Sequence, residues 1–130
     1  MNELPPVDLT TMMPGDPVRA IEVAKQIIGG QIAVEHRLLA ELASDASQPK
    51  WARIAAIYAL GFLGDKDFIP DLRRLLADSD IDVDIRSHAA EALGNIKDRG
   101  SIKLLRHILQ SKPTGALLES CNYALNEMDA

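Results

Sequence analysis

A single cysteine, Cys121, stands in 130 residues, so neither an internal disulfide nor a thiolate cluster for zinc can form within the chain. Aromatic residues make up only 4% of it. That disfavours a β-sandwich, whose strands draw on aromatic and β-branched side chains, against close-packed helices rich in Ala, Leu and Ile. Cations are outnumbered: 14 Lys and Arg against 19 Asp and Glu leave a formal charge of −5. A phosphate backbone is bound by clustered positive charge, so nucleic acid is a disfavoured partner. No apolar run of membrane-spanning length and no charged-then-apolar leader is visible; the expected setting is cytoplasmic, with no membrane contact. A Gly-rich phosphate loop, a Gly-x-Ser-x-Gly elbow and a His-Glu-x-x-His motif are all missing. The sequence therefore predicts no enzyme and no cofactor.

What is present suits one compact domain, since 47% hydrophobic residues suffice for a core. Pro5, Pro6, Pro14 and Pro17 crowd the first seventeen positions and exclude a regular helix there. Residues 1–16 are read as an extended arm and residues 17–130 as the folded domain. Asp16-Pro17 opens that domain as an N-cap followed by proline in the first helical turn.

The domain repeats itself. Arg53-Ile-Ala-Ala-Ile-Tyr-Ala-Leu-Gly61 returns as Arg86-Ser-His-Ala-Ala-Glu-Ala-Leu-Gly94, an offset of 33 residues. The same offset relates Leu63 to Ile96, Asp65 to Asp98, Ile69 to Ile102 and Leu72 to Leu105. A weaker copy follows at offset 32, where Ala124-Leu125-Asn126 falls on Ala92-Leu93-Gly94, and Arg19 sits 34 residues before Arg53. Each unit reads as two helices, one with Ile and Leu at helical spacing and one with a face of small residues such as Ala52, Ala56 and Ala59. Gly64 and Asp65 supply the stop between them. The predicted helices cover 17–28, 31–44, 49–63, 67–77, 83–96, 100–110 and 115–128. Neither helix of a pair buries its apolar face alone, so the pairs must stack.

The pattern Arg-x-x-Ala-Ala-x-Ala-Leu-Gly, then Asp, then an Ile/Leu-rich helix, resembles HEAT-like repeats of the phycocyanobilin-lyase type over about residues 49–128. The resemblance implies an all-α, right-handed solenoid of about three stacked helical hairpins. It also implies that Arg53, Arg86, Asp65 and Asp98 form a charge ladder linking neighbouring helices and satisfying helix ends. A related iron-dependent hydroxylase family of HEAT-like repeats carries paired His-Glu dipeptides. This chain has none, and His36, His88 and His107 belong to different helices.

Other clusters read as structural. Asp78, Asp80, Asp82 and Asp84 with Glu91 imitate a calcium loop, but Ile85 stands where the sharp turn needs glycine. The expected role is an acidic turn and helix start. Cys121 falls where the stronger repeats have Ala89, as expected of a small buried residue. His36-Arg37, Arg73-Arg74 and Arg106-His107 would line up as a basic stripe on the convex side, read as solvated cations near helix ends.

The inner helices carry the candidate site. Trp51, Ile54, Ala55, Tyr58 and Phe62 share one side of a helix, and the equivalent positions further on include Asp84, His88, Glu91, Glu119, Tyr123 and Glu127. An aromatic centre beside an acidic rim is how many protein interfaces are built. The sequence thus predicts a non-enzymatic protein-interaction module or scaffold: an adaptor, a complex subunit or an inhibitor of the immunity-protein kind. Its partner would be another protein with a basic surface, bound through Trp51, Tyr58, Phe62, Asp84, His88, Glu91, Glu119, Tyr123 and Glu127. The alternatives are a chromophore-lyase-like or chaperone subunit, which the resemblance implies, and nucleic-acid binding by the convex basic stripe. The competing possibility for the aromatic side is burial under the arm, through Leu4, Val7, Leu9, Met12 and Met13.

Overall fold

The computed structural model describes residues 8–130, and among them every regular element is helical. The helices are α1 (Leu9–Met12), α2 (Pro17–Ile28), α3 (His36–Ser44), α4 (Lys50–Leu63), α5 (Ile69–Ala77), α6 (Val83–Ile96), α7 (Ile102–Gln110) and α8 (Gly115–Glu127). One 3₁₀ turn, Lys66–Phe68, leads into α5 and another, Arg99–Ser101, into α7. The expected all-helical stack of hairpins is the observed architecture. An inner layer runs α2, α4, α6, α8, each helix packed on the next, and α3, α5 and α7 form an outer layer packed on α4, α6 and α8.

Local chemistry sets the boundaries. Asp16 caps α2 by accepting from the Arg19 amide, with Pro17 in the first turn. The expected helix over 31–44 starts only at His36: Gly30 adopts φ +83°, and the Gln31 and Ile32 amides both turn back to the Gln26 carbonyl, so the chain leaves the helical path there. α5 begins at Ile69 rather than 67 because Pro70 has no amide for an earlier turn. The arm is not extended throughout. Asp8 accepts from the Thr10 amide and caps the single turn α1, whose Leu9 is buried, as is Met13 just after it. α1 packs on α3; Leu4 and Val7 lie outside the described residues.

The repeated arginines satisfy helix ends, each in the same way. The Arg53 Nε donates to the Ala43 carbonyl at 3.0 Å in the last turn of α3, and the Arg86 Nε donates to the Leu76 carbonyl at 3.0 Å in the last turn of α5. Those carbonyls have no partner within their own helix, and a guanidinium also suits the negative end of the helix dipole. The repeated aspartates join successive outer helices. Asp98 accepts from Arg73 Nε at 2.9 Å and Nη2 at 2.6 Å, and Asp65 pairs with His36 Nδ1 at 2.8 Å. The Asp67 amide and His36 together hold the Asp65 carboxyl below the usual carboxylate range.

The inner helices meet through their smallest residues. A Cβ on Gly61 would stand 2.8 Å from the Ala92 Cα, and one on Gly94 would stand 2.7 Å from the Ala124 Cα. Both contacts are with backbone, which cannot rotate aside. The Gly-to-Ala gain in helix propensity of about 1 kcal/mol is therefore outweighed by overpacking of about 1–3 kcal/mol. Gly94→Ala is expected to lower stability by about 1 kcal/mol in urea denaturation; a variant more stable than the parent would contradict this packing.

The alternating aspartates are occupied. Asp78 accepts from the Asp80 amide, and Asp82 accepts from the Asp84 amide to start α6. Lys50 Nζ reaches Asp84 at 2.6 Å and Asp82 at 3.6 Å. A bound ion must stabilise the folded state by mass action. Millimolar calcium at fixed ionic strength should therefore leave the melting temperature where it was, and a calcium-specific rise would refute the helix-start role.

Candidate functional site

Stacking turns the repeat offset into rows of side chains that cross α4, α6 and α8. Tyr58, Glu91 and Tyr123 are equivalent positions, as are Phe62, Asn95 and Glu127. Within α4, the Tyr58 and Phe62 rings lie 4.8 Å apart at a tilt of 53°. Phe62 is half exposed and Tyr58 partly buried. Between α6 and α8, the Tyr123 hydroxyl donates to Asn95 Oδ1. Burial pushes the Tyr123 phenol above its ordinary pKa, and the Glu127 and Glu91 carboxylates push it further. Both carboxylates therefore act on the same phenol. Neither has a cationic partner among the described residues. The result is a pair of aromatic rings in register with an uncompensated acidic group, and such a surface attracts a cation through both ring face and carboxylate.

The remaining candidates divide. Trp51 is partly buried, its ring edge-on to His88 at 6.3 Å. It thus packs against α6. Lys50 lies 6.0 Å from the Trp51 ring centroid and holds Asp84, so Asp84 does not present a free charge. His88 Nδ1 is 2.8 Å from the Asp84 carbonyl, which positions the imidazole along its own helix. Ile54 and Ala55 are fully buried and belong to the core. Glu119 is exposed on α8, but its equivalents Ile54 and Ser87 are buried, so its position belongs to the packing side and not to the row of Glu91 and Tyr123. The surface strip narrows to Tyr58, Phe62, Glu91, Tyr123 and Glu127. The arm packs on the outer helix α3, and Phe62 keeps 51% of its surface exposed.

Two residues that complete this picture were not among the sequence candidates. Asn95 anchors Tyr123, and Lys50 neutralises the acidic start of α6. The repeat offset pointed to the first, since Asn95 is the equivalent of Phe62; the offset places Lys50 on Val83, beside the Asp84 it reaches.

The convex cations are largely engaged. His36 is paired with Asp65, Arg37 with Glu35 and Glu41, Arg73 with Asp98 and Arg74 with Asp71. Cys121 is fully buried, and burial pushes its thiol up to about 11, which leaves it protonated and unreactive. Among the described residues no group of three or more His, Cys, Asp or Glu side chains is placed to hold a metal ion. No described helix is long and apolar enough to cross a membrane.

A family model for HEAT repeats matches residues 36–126. Over 74 residues the chain is 38% identical to the deoxyhypusine hydroxylase of Arabidopsis thaliana, covering 57% of this chain and 24% of that protein. It is 36% identical over 74 residues to deoxyhypusine hydroxylase-B of Oryza sativa subsp. japonica, with the same coverage. With the deoxyhypusine hydroxylase of Saccharomyces cerevisiae it shares 33% over 72 residues, 55% of this chain and 22% of that protein. The chain thus spans under a quarter of the length of these curated relatives. No solved structure matches it. The relatives carry enzyme names, and this overturns the expectation of a non-enzymatic adaptor, scaffold or inhibitor. The expectation rested on missing catalytic motifs, the His-Glu dipeptide among them, and on an aromatic and acidic surface that suits a protein partner, neither of which excludes an enzymatic setting. The pigment-lyase, chaperone and nucleic-acid alternatives fit these relatives no better. With 91 consecutive positions matched, from the start of α3 into the last turn of α8, the chain belongs to the family of HEAT-repeat proteins.

Proposed function

We propose that the chain functions in an enzymatic hydroxylation of the kind its relatives are named for, and that its inner helices hold the substrate. The observation that carries this reading is the likeness to deoxyhypusine hydroxylases, taken with Glu91, Tyr123 and Glu127 grouped on one strip beside Tyr58 and Phe62. Deoxyhypusine is a lysine-derived residue with a long amine side chain. An ammonium group on such a chain is stabilised by carboxylates without a competing cation and by the faces of aromatic rings. The methylene stem of the same chain lies well against Phe62. The partner is accordingly a protein that carries a cationic side chain, met in the cytoplasm.

The role assigned to these residues is to bind and orient. Tyr123, fixed by Asn95, supplies a hydroxyl at a set place on the strip, and Glu91 and Glu127 supply the charge. No oxygen-transfer step is assigned to them, because no trio of ligating side chains converges among the described residues.

The test is calorimetric titration with a peptide that carries deoxyhypusine, beside the same peptide carrying lysine. The modified peptide should bind more tightly. Glu91→Gln together with Glu127→Gln should weaken it by tenfold or more, which corresponds to about 1.4 kcal/mol. Glu127 is exposed and Glu91 only partly buried, and glutamine keeps the shape of each side chain, so folding should be little affected. Equal affinity for the two peptides, or an undiminished affinity in the double variant, would overturn the reading.

A further inference from the structure

The seams between outer helices form two matched grooves, one repeat apart. The first, of about 400 Å³, is lined by Arg53 and Arg74 and by the carboxylates of Asp78, Asp80 and Asp82. The second, of about 420 Å³, is lined by Arg86 and His107 at the equivalent positions, with Ser79, Ser111, Leu104 and Ile108. Its lining contains no carboxylate: the place of Asp78 is taken by Ser111, 33 residues on. In a chain of net charge −5, the seam has changed from an acidic-majority lining to one made of a guanidinium, an imidazole and hydroxyls.

We propose that this second groove, between α5, α6 and α7, is a binding site for a tetrahedral oxyanion such as a phosphate group. The groove lies at the carboxyl ends of α5 and α7, where free carbonyls would repel an anion. One carbonyl at each end is already engaged, since Arg86 Nε donates to the Leu76 carbonyl and Ser111 Oγ donates to the Ile108 carbonyl at 2.6 Å. Arg86 has spent only its Nε, and its terminal nitrogens make no hydrogen bond among the described residues. The Ser79 hydroxyl is likewise uncommitted and His107 is exposed. Three donor side chains from three successive segments therefore line one opening. A guanidinium fork with hydroxyl and imidazole donors is the chemistry that recognises phosphate. In the first groove Asp78, Asp80 and Asp82 would oppose the same ligand.

The test is a titration of the full chain with inorganic phosphate, followed residue by residue in ¹H–¹⁵N spectra at constant ionic strength, with acetate as a second probe. Saturable shifts at Ser79, Arg86 and His107, larger for phosphate than for acetate and missing at Ala46, Arg53 and Arg74, are the expected result. Ser79→Ala with His107→Ala should raise the dissociation constant at least fivefold. Both side chains are exposed, so the variant should fold as the parent does. The proposal is overturned by shifts that do not saturate, by equal shifts in both grooves, by a preference for acetate, or by a double variant that binds phosphate as well as the parent.

Discussion

The approach of one inner helix to the next at Gly61 and Gly94 governs the rest of the molecule. With no side chain at these two positions, α4 and α6 come within van der Waals reach of the backbones of Ala92 and Ala124. Only then can Ala52, Ala56, Ala59, Ala89, Ala90 and Ala92 form a continuous core, for side chains this small bury little surface unless the backbones are close. The outer helices follow from that spacing. Each lays Leu72, Leu75 and Leu76, or Leu105 and Ile108, on the pair beneath it. α3 and α5 also end where an inner-helix arginine reaches a carbonyl of the last turn. The rows of the candidate site are a third consequence, because residues 33 positions apart become neighbours only when the inner helices are stacked in close register.

Much of this was written in the sequence. The offset of 33 between Arg53 and Arg86, and between Gly61 and Gly94, fixed which helices are equivalent, and α2 and α6 fall on the expected spans. The ends of elements were less legible. Nothing in the hydropathy of residues 31–35 distinguishes the actual loop from a helix; the break depends on the positive φ of Gly30 and on where the Gln31 amide finds its acceptor. Lys97 shows the opposite limit. It takes the left-handed position that Gly64 holds one repeat earlier, at φ 61°, although a side chain there costs about 1 kcal/mol. The capping bonds of its own amide and that of Asp98 to Gly94 and Leu93 offset this cost, and no residue preference announces it.

For the site, the sequence supplied the residues but not their states of charge. Asp84 and Glu91 look alike on a helical wheel, about two turns apart on the same helix. Lys50 from the preceding helix compensates Asp84, whereas Glu91 and Glu127 both act on the Tyr123 phenol with no cation paired to either among the described residues. A carboxylate with a lysine at 2.6 Å offers an incoming cation little, so only part of the acidic strip remains attractive. The convex stripe fails for the mirror-image reason. His36, Arg37, Arg73 and Arg74 are matched by carboxylates from neighbouring or adjacent turns, and a row of cations in sequence is not a row of free charge in the fold.

Each repeat serves as a reference for the next, and departures from the shared pattern mark where chemistry can differ while the frame is kept. Ile54 becomes Ser87 in the core without a change of fold, because the Ser87 hydroxyl donates to the Val83 carbonyl and leaves no unpaired polar atom. Tyr58 becomes Glu91 and then Tyr123 on the open side, where none of the three is fully buried. The frame positions Gly61, Gly94, Arg53 and Arg86 cannot drift in this way, since each meets a backbone atom of another helix. A helical stack of this kind holds its geometry with a few invariant contacts per repeat. The exposed rows between those contacts are then free to carry a different charge in every repeat, and here that freedom places uncompensated carboxylates on the inner face and a carboxylate-free groove on the outer one.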